Sequence, residues 1–239
     1  LNRNLLFLIM ALCLIVFAGL SFLTAVNGRF MLDEYILQWV QTINSPFLLG
    51  LMQGATIIGS VEFIFVISAA LMFTFLLRRN WYLVIFLSVL SAGGIVLNYV
   101  LKILFQRARP GEMTYIELFG FSFELASYSF PSGHTMRTVL LFAFLIYLSF
   151  LLTKNYWVRF VSFVAALVII LSVAASRVIV GAHYPSDIIA AVAASVVWAG
   201  VCWYFISDDF RHKRKGFNPK ETEAPQQLEE EQKERQSYL

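Results

Sequence analysis

Charge is scarce in this chain. Only 14% of its 239 residues are Asp, Glu, Lys or Arg, against 59% hydrophobic and 16% aromatic. A soluble globular domain is roughly a quarter charged and about half apolar, so one water-soluble core of this length is excluded. A mean hydropathy of +0.72 agrees. The surplus apolar surface needs a bilayer, and the class is multi-pass membrane protein. Cysteine is nearly absent. Cys13 and Cys202 both sit in long apolar runs, which excludes a disulfide framework and leaves two small buried hydrophobes. The net charge of +3 is too small to argue for nucleic acid or an acidic soluble partner. Metal motifs are missing too, with no His-Glu-x-x-His and no cysteine pair at zinc spacing.

What the chain does have is apolar runs. Six stretches, roughly 4–26, 53–77, 81–104, 135–152, 160–176 and 187–206, approach the ~20 residues that span a bilayer. They pair as three hairpins and predict an all-α bundle of six transmembrane helices. The first run is too long for a signal-peptide core and reads as a retained helix. Between the first two runs, Leu32, Tyr35, Ile36, Trp39, Val40 and Ile43 recur at helical spacing, with Asp33, Glu34, Gln38 and Gln41 in the gaps. That pattern suits a short amphipathic helix at the interface, on the extracytoplasmic side; a re-entrant loop is the alternative.

Lys/Arg bias sets the orientation. One set of span ends carries Arg3, Arg78, Arg79, Lys154, Arg159, Arg211, Lys213, Arg214 and Lys215; the other carries Arg29, Lys102, Arg107, Arg109, Arg137 and Arg177. The rule puts both termini in the cytoplasm. Residues 1–210 read as the membrane-embedded domain. Residues 211–239, basic and then acidic, read as a disordered cytoplasmic tail with a frayed helix near 226–236.

Three polar clusters interrupt the apolar pattern. The first is Lys102-Ile-Leu-Phe-Gln-Arg107-Ala-Arg109-Pro110. The second is Phe130-Pro131-Ser132-Gly133-His134-Thr135. The third is Ser176-Arg177-Val-Ile-Val-Gly181-Ala-His183-Tyr-Pro185-Ser-Asp187. They close span three, open span four and fill the gap between spans five and six, so alternating spans bring all three to one membrane face. Lys102 and Arg109 are seven apart and share a helix face if the helix continues to Arg109. Lys102, Arg109 and Arg177 supply positive charge, the guanidiniums as forks that match phosphate oxygens. Ser132 and Gly133 stand at a helix start, where free N–H groups and the dipole favour an anion. Gly133 permits close backbone approach.

His134 and His183 remain. Asp187, four residues after His183, can hold one imidazole nitrogen and leave the other nucleophilic. His134 is then available as a general acid. Chemistry alone does not decide which histidine attacks. Taken singly, each cluster has a plainer reading. A lone basic residue at a helix end snorkels to the headgroups, the reading given to Arg29, Arg107 and Arg137. Glu62, in the outer half of span two, reads equally as a functional acid or as the partner of a site cation. Three cations around one carboxylate repel a divalent ion, so metal-independent hydrolysis is expected.

As a set, Lys102-x6-Arg109-Pro110, Pro131-Ser132-Gly133-His134 and Ser176-Arg177-x5-His183-x3-Asp187 resemble the three-part signature of the type 2 phosphatidic acid phosphatases. That superfamily also holds vanadium haloperoxidases and soluble bacterial acid phosphatases. The six-span layout is similar to its bacterial membrane branch, the phosphatidylglycerophosphate phosphatase B type. The resemblance implies a six-helix core, an outward-facing site and no cofactor. It implies a phosphohistidine on His183, oriented by Asp187, with His134 as the acid. Lys102, Arg109, Ser132, Gly133 and Arg177 would hold the phosphate. The implied partners are the bilayer and a membrane lipid phosphate: phosphatidylglycerophosphate first, undecaprenyl diphosphate as runner-up, then phosphatidic acid and diacylglycerol pyrophosphate. No obligate protein partner is evident.

A transporter of anionic lipids is the rival from another class. It would show repeated halves and charges near mid-membrane, whereas these cations sit at span ends. Vanadate-dependent halogenation fits poorly with the membrane setting and short chain. Headgroup contacts are expected from residues 111–130, where Glu112, Thr114, Tyr115 and Glu117 are candidates.

Overall fold

The computed structural model of the chain describes residues 3–28, 30–43, 45–110, 115–118, 121–126 and 128–216. Residues 1–201 form one compact unit that contains the bundle and the site. The tail at 217–239, and Arg29, lie outside the described residues.

Among the described residues, five helices are long and apolar enough to cross a membrane: α1 (Arg3–Asn27), α5 (Trp81–Phe105), α6 (Gly133–Leu152), α7 (Tyr156–Ile179) and the first 22 residues of α8 (Pro185–Gly216). The expected second span is broken. α3 (Pro46–Ile58) and α4 (Val61–Leu77) meet at a 43° bend; counted as one broken span, the pair brings the number to six. Thirteen and seventeen residues reach only ~20 and ~26 Å at 1.5 Å each, short of the ~30 Å hydrocarbon core. The break has a local cause. Ser60 leaves helical geometry and its hydroxyl takes the Phe63 N–H at 3.1 Å, capping a new helix. The same chemistry starts α5 from Asn80, α6 from Ser132 and α7 from Asn155.

α2 (Met31–Gln41) is the short helix expected from the spacing. Its apolar residues divide between two surroundings. Met31, Leu32, Tyr35 and Trp39 are exposed, while Leu37 and Val40 pack inward together with Asp33. Asp33 is thus not a polar gap filler but 2% exposed. The loop after α5 carries an antiparallel hairpin that the all-α reading did not include, β1 (Tyr115–Leu118) with β2 (Phe121–Ala126), Leu118 facing Phe121. Its source is the alternation of Phe121, Phe123 and Leu125 with Ser122 and Glu124.

α6 packs against α4, α5 and α7; α3 and α2 also lie on α7. Gly93 and Gly94 make the α5 contact possible, since a Cβ there would collide with Trp198 of α8 and Leu140 of α6. The Trp198 indole donates to the Leu90 carbonyl at 3.1 Å. Phe86 and Phe144 are almost fully buried between these helices, and Tyr82 and Tyr147 join hydroxyls at 3.0 Å. Large apolar side chains cover the outside of α1, α4, α5 and α7, including Leu8, Ile15, Phe73, Leu104 and Val161, the surface a lipid-facing bundle presents.

Candidate active site

One end of the bundle is polar inside. Ser129, Ser132, Thr135, Thr138, Ser176, Arg177, His183, Ser186 and Asp187 are all buried there. The C-terminal end of α7, the N-terminal ends of α6 and α8 and the loops leading into those two helices supply them. Two helix N-termini at one place favour an anion.

α5 ends one turn earlier than a shared Lys102/Arg109 face requires. Gln106 is left-handed, with φ of 44°, and the helix stops at Phe105. The chain then leaves regular structure, and Arg109 comes to the site from a loop. Lys102 donates its ammonium to the Tyr128 carbonyl. Lys102, Arg109 and Arg177 all lie within electrostatic reach of His183, so the three expected cations are brought together.

α6 begins at the second cluster. The Ser132 hydroxyl accepts from the Thr135 hydroxyl at 3.1 Å, and the Ser132 N–H donates to the Asp187 carbonyl at 3.2 Å. Asn98 of α5 donates to the Pro131 carbonyl at 3.1 Å. A Cβ on Gly133 would sit 2.9 Å from Asn98 Oδ1 and 3.2 Å from Arg137 Nη1, so a side chain here would displace the Asn98 amide or the Arg137 guanidinium. His134 is half-buried, its Nδ1 3.4 Å from the Arg137 guanidinium. Arginine can only donate, so this contact makes Nδ1 the acceptor and keeps the ring proton on Nε2.

The third cluster turns tightly. The N–H groups of Ala182 and His183 both donate to the Arg177 carbonyl, and Gly181 takes a φ of 73°. Pro185 opens α8, and Asp187 Oδ2 accepts from the Tyr184 N–H at 2.9 Å. His183 Nδ1 lies 3.5 Å from the same oxygen, close but without forming a hydrogen bond, and His183 and Asp187 are 1% and 0% exposed. Burial and the charges of Lys102, Arg109 and Arg177 hold the His183 imidazole well below its usual pKa, so the ring is neutral at neutral pH. Burial also lowers Arg109, against the pull of Asp187.

Four residues beyond the expected set take part. Arg107 does not snorkel to headgroups. It is 4% exposed and donates to Asp187 Oδ1 at 2.6 Å, to Asp33 Oδ2 at 2.8 Å, to the Ser186 hydroxyl at 2.7 Å and to the Gly28 carbonyl at 2.9 Å. Breaking such a buried charge pair from one side costs about 3–5 kcal/mol. Asp33 closes the network from α2, accepting the Ser186 N–H at 2.9 Å and its hydroxyl. Arg137 also points inward, donating to the Gly59 carbonyl at the α3–α4 break at 3.2 Å, with Glu62 in electrostatic reach. Thr56 of α3 touches Ser176 at 2.8 Å and Arg177 at 3.5 Å. Of the headgroup candidates, Glu112 and Thr114 lie outside the described residues, and only the backbone of Tyr115 and Glu117 is described.

Clustered positive charge, two histidines and an acid beside one of them, at the end of a membrane-spanning bundle, are groups suited to phosphoryl transfer. The chain belongs to the PAP2 superfamily, whose profile matches residues 81–211, and is a membrane phosphatase of that family. It is 30% identical over 196 residues to phosphatidylglycerophosphatase B of Bacillus subtilis (strain 168), covering 79% of this chain and 87% of that one. Its structure is similar to that of the transmembrane PAP2 type phosphatidylglycerolphosphate phosphatase from Bacillus subtilis. The TM-score is 0.69 at 25% identity, over 87% of this chain and 98% of that one. LpxE of Aquifex aeolicus shares the fold at a TM-score of 0.52 and 21% identity, over 74% of this chain and 96% of its own.

Proposed function

We propose that this phosphatase hydrolyses phosphatidylglycerophosphate to phosphatidylglycerol and inorganic phosphate through a phosphohistidine on His183. The observation that carries the mechanism is the His183–Asp187 couple, 3.5 Å apart and buried among Lys102, Arg109 and Arg177. Asp187 holds the proton on Nδ1, so Nε2 presents a lone pair to phosphorus. As the N–P bond forms, the bond to the leaving oxygen breaks, and His134 gives that oxygen its proton. Water then attacks the phosphohistidine, His134 takes the water's proton, and phosphate leaves. Lys102, Arg109, Arg177, the Ser132 hydroxyl and the Gly133 N–H at the start of α6 neutralise the equatorial oxygens throughout. The name of the Bacillus subtilis relative supports the lipid. Purified protein assayed against phosphatidylglycerophosphate, phosphatidic acid and undecaprenyl diphosphate should favour the first in kcat/KM. A preference of tenfold or more for either other lipid would replace it.

The chemistry needs no metal on this reading. Among the described residues no three His, Cys, Asp or Glu side chains gather to hold one, and the cations already do the neutralising. Activity should therefore survive EDTA, and vanadate should inhibit, as a five-coordinate mimic held by His183 and the same cations. A strict requirement for added magnesium or zinc would overturn this mechanism.

The site is proposed to face away from the cytoplasm, with both termini inside and residues 211–239 as a tail. The basic links at Arg78–Arg79, Lys154–Arg159 and Arg211–Lys215 carry the orientation. Substrate then enters sideways from the outer leaflet, because drawing acyl chains through water costs about 0.8 kcal/mol per CH₂. Single cysteines near Gly111 and in the tail test this in intact cells. A membrane-impermeant thiol reagent should label the first and spare the second; the reverse pattern would invert the topology.

A further inference from the structure

The Arg107 network has no counterpart among the roles above. Its guanidinium lies between the rings of Tyr184, 4.1 Å from the centroid, and Phe30, 5.1 Å away. It bonds Oδ1 of Asp187, while Oδ2 of that carboxylate faces His183. Asp33 holds the far side of the guanidinium and also Ser186, the residue before Asp187. With Oδ1 tied to the planar guanidinium and Oδ2 to the Tyr184 N–H, the carboxylate cannot rotate, and one oxygen stays aimed at the His183 ring. A lysine at 107 would bring the charge but not the fork.

We propose that Arg107 and Asp33 are positioning residues for catalysis: through Asp187 they fix the orientation and tautomer of the His183 ring. The short helix α2 thereby serves the site through Asp33 as well as covering it. This rests on His183 being the nucleophile. The role also explains why a charged side chain is buried at this point, with partners drawn from the α1–α2 turn, α2 and α8.

The test is a double-mutant cycle on full-length protein in detergent, with short-chain phosphatidic acid as substrate and vanadate as ligand. Arg107→Lys should lower kcat about 10- to 100-fold, the worth of one charge-assisted hydrogen bond. KM and the vanadate inhibition constant should stay within about threefold. In an Asp187→Asn background the same change should cost less than about twofold, because its route to the histidine is already cut. Equal losses in both backgrounds, or losses confined to KM and vanadate, would overturn the role. A second readout does not need turnover. The chain has three histidines, so nitrogen-15 histidine spectra can resolve His183. It should hold one tautomer in the wild type and a mixture in both Arg107→Lys and Asp33→Asn; an unchanged spectrum in both variants would also overturn the proposal. His183→Ala separates the two levels. If it is inactive while the cycle is additive, only the positioning role fails; if it keeps turnover, the nucleophile assignment fails.

Discussion

Replacing His183 with alanine should abolish turnover, by about 10⁴-fold or more, while the protein still folds and binds vanadate weakly. The size follows from the step that is lost. Without a nucleophile the phosphoryl group has to be attacked by water directly, and removing the attacking residue of a hydrolase costs about 10⁶ in kcat. The cations and helix N-termini remain and retain part of the electrostatic stabilisation, which is why the residual rate should stay above that of water. The fold should tolerate the change, because the His183 backbone N–H, not its ring, closes the turn onto Arg177, and the ring's own contacts are a hydrogen bond to the Ser129 backbone and its approach to Asp187. Two measurements check it: steady-state turnover beside a melting curve in detergent, and acid-stable against acid-labile label after brief exposure to a phosphorus-32 substrate. Wild type should carry acid-labile, base-stable label and His183→Ala none. Turnover within tenfold of wild type in that variant would remove His183 from the reaction.

The pH behaviour has a definite sign. Because burial and neighbouring cations keep His183 below the usual imidazole range, protonation competes with attack only at pH well under 6.5. The proposed nucleophile is then available across the neutral range, without the partial protonation an exposed histidine would show.

Local spacing made much of the site legible. His183 and Asp187 are four residues apart, and Ser132, Gly133 and His134 are consecutive, so each cluster announces its own geometry. The common membrane face followed from counting apolar runs. Contacts between distant segments were not legible. Asp33 and Arg107 are 74 residues apart, and nothing in either neighbourhood names the other. A signal did exist for Asp33, since 33, 37 and 40 share one face of α2 and only Asp33 is polar. An acid on an apolar stripe asks for a buried cation. Arg107 was misread because span-end arginines commonly reach for headgroups, a rule that fails once two carboxylates lie closer than the membrane surface. The break in the second span was written as Gly59-Ser60, a helix-ending residue before an N-cap, but uninterrupted hydropathy on both sides concealed it. The hairpin alternation at 121–125 covers only five residues, too short a stretch for its period to stand out in a chain dominated by apolar runs.

His134 should show a different signature from His183, one that depends on the leaving group. Its Nδ1 faces the Arg137 guanidinium at 3.4 Å, which leaves the proton on Nε2, the nitrogen free to meet the departing oxygen. A lipid alkoxide is a poor leaving group and needs that proton, so His134→Ala should slow phosphorylation of His183 by phosphatidylglycerophosphate about 10²–10⁴-fold. An aryl phosphate with an acidic phenol leaves without help, and its phosphorylation step should fall by less than about tenfold. The second half-reaction still needs a base for water, whatever the first leaving group. In His134→Ala the aryl phosphate should therefore give a burst of one equivalent of phenol per active site, followed by turnover limited by phosphohistidine hydrolysis. Rapid mixing with p-nitrophenyl phosphate reads both phases in one trace. Loss of the burst along with the steady state would mean that His134 is needed for attack itself, and the acid and nucleophile assignments would have to be exchanged or abandoned. A burst that remains while lipid turnover collapses is the result the geometry of Arg137, His134 and the His183–Asp187 couple requires.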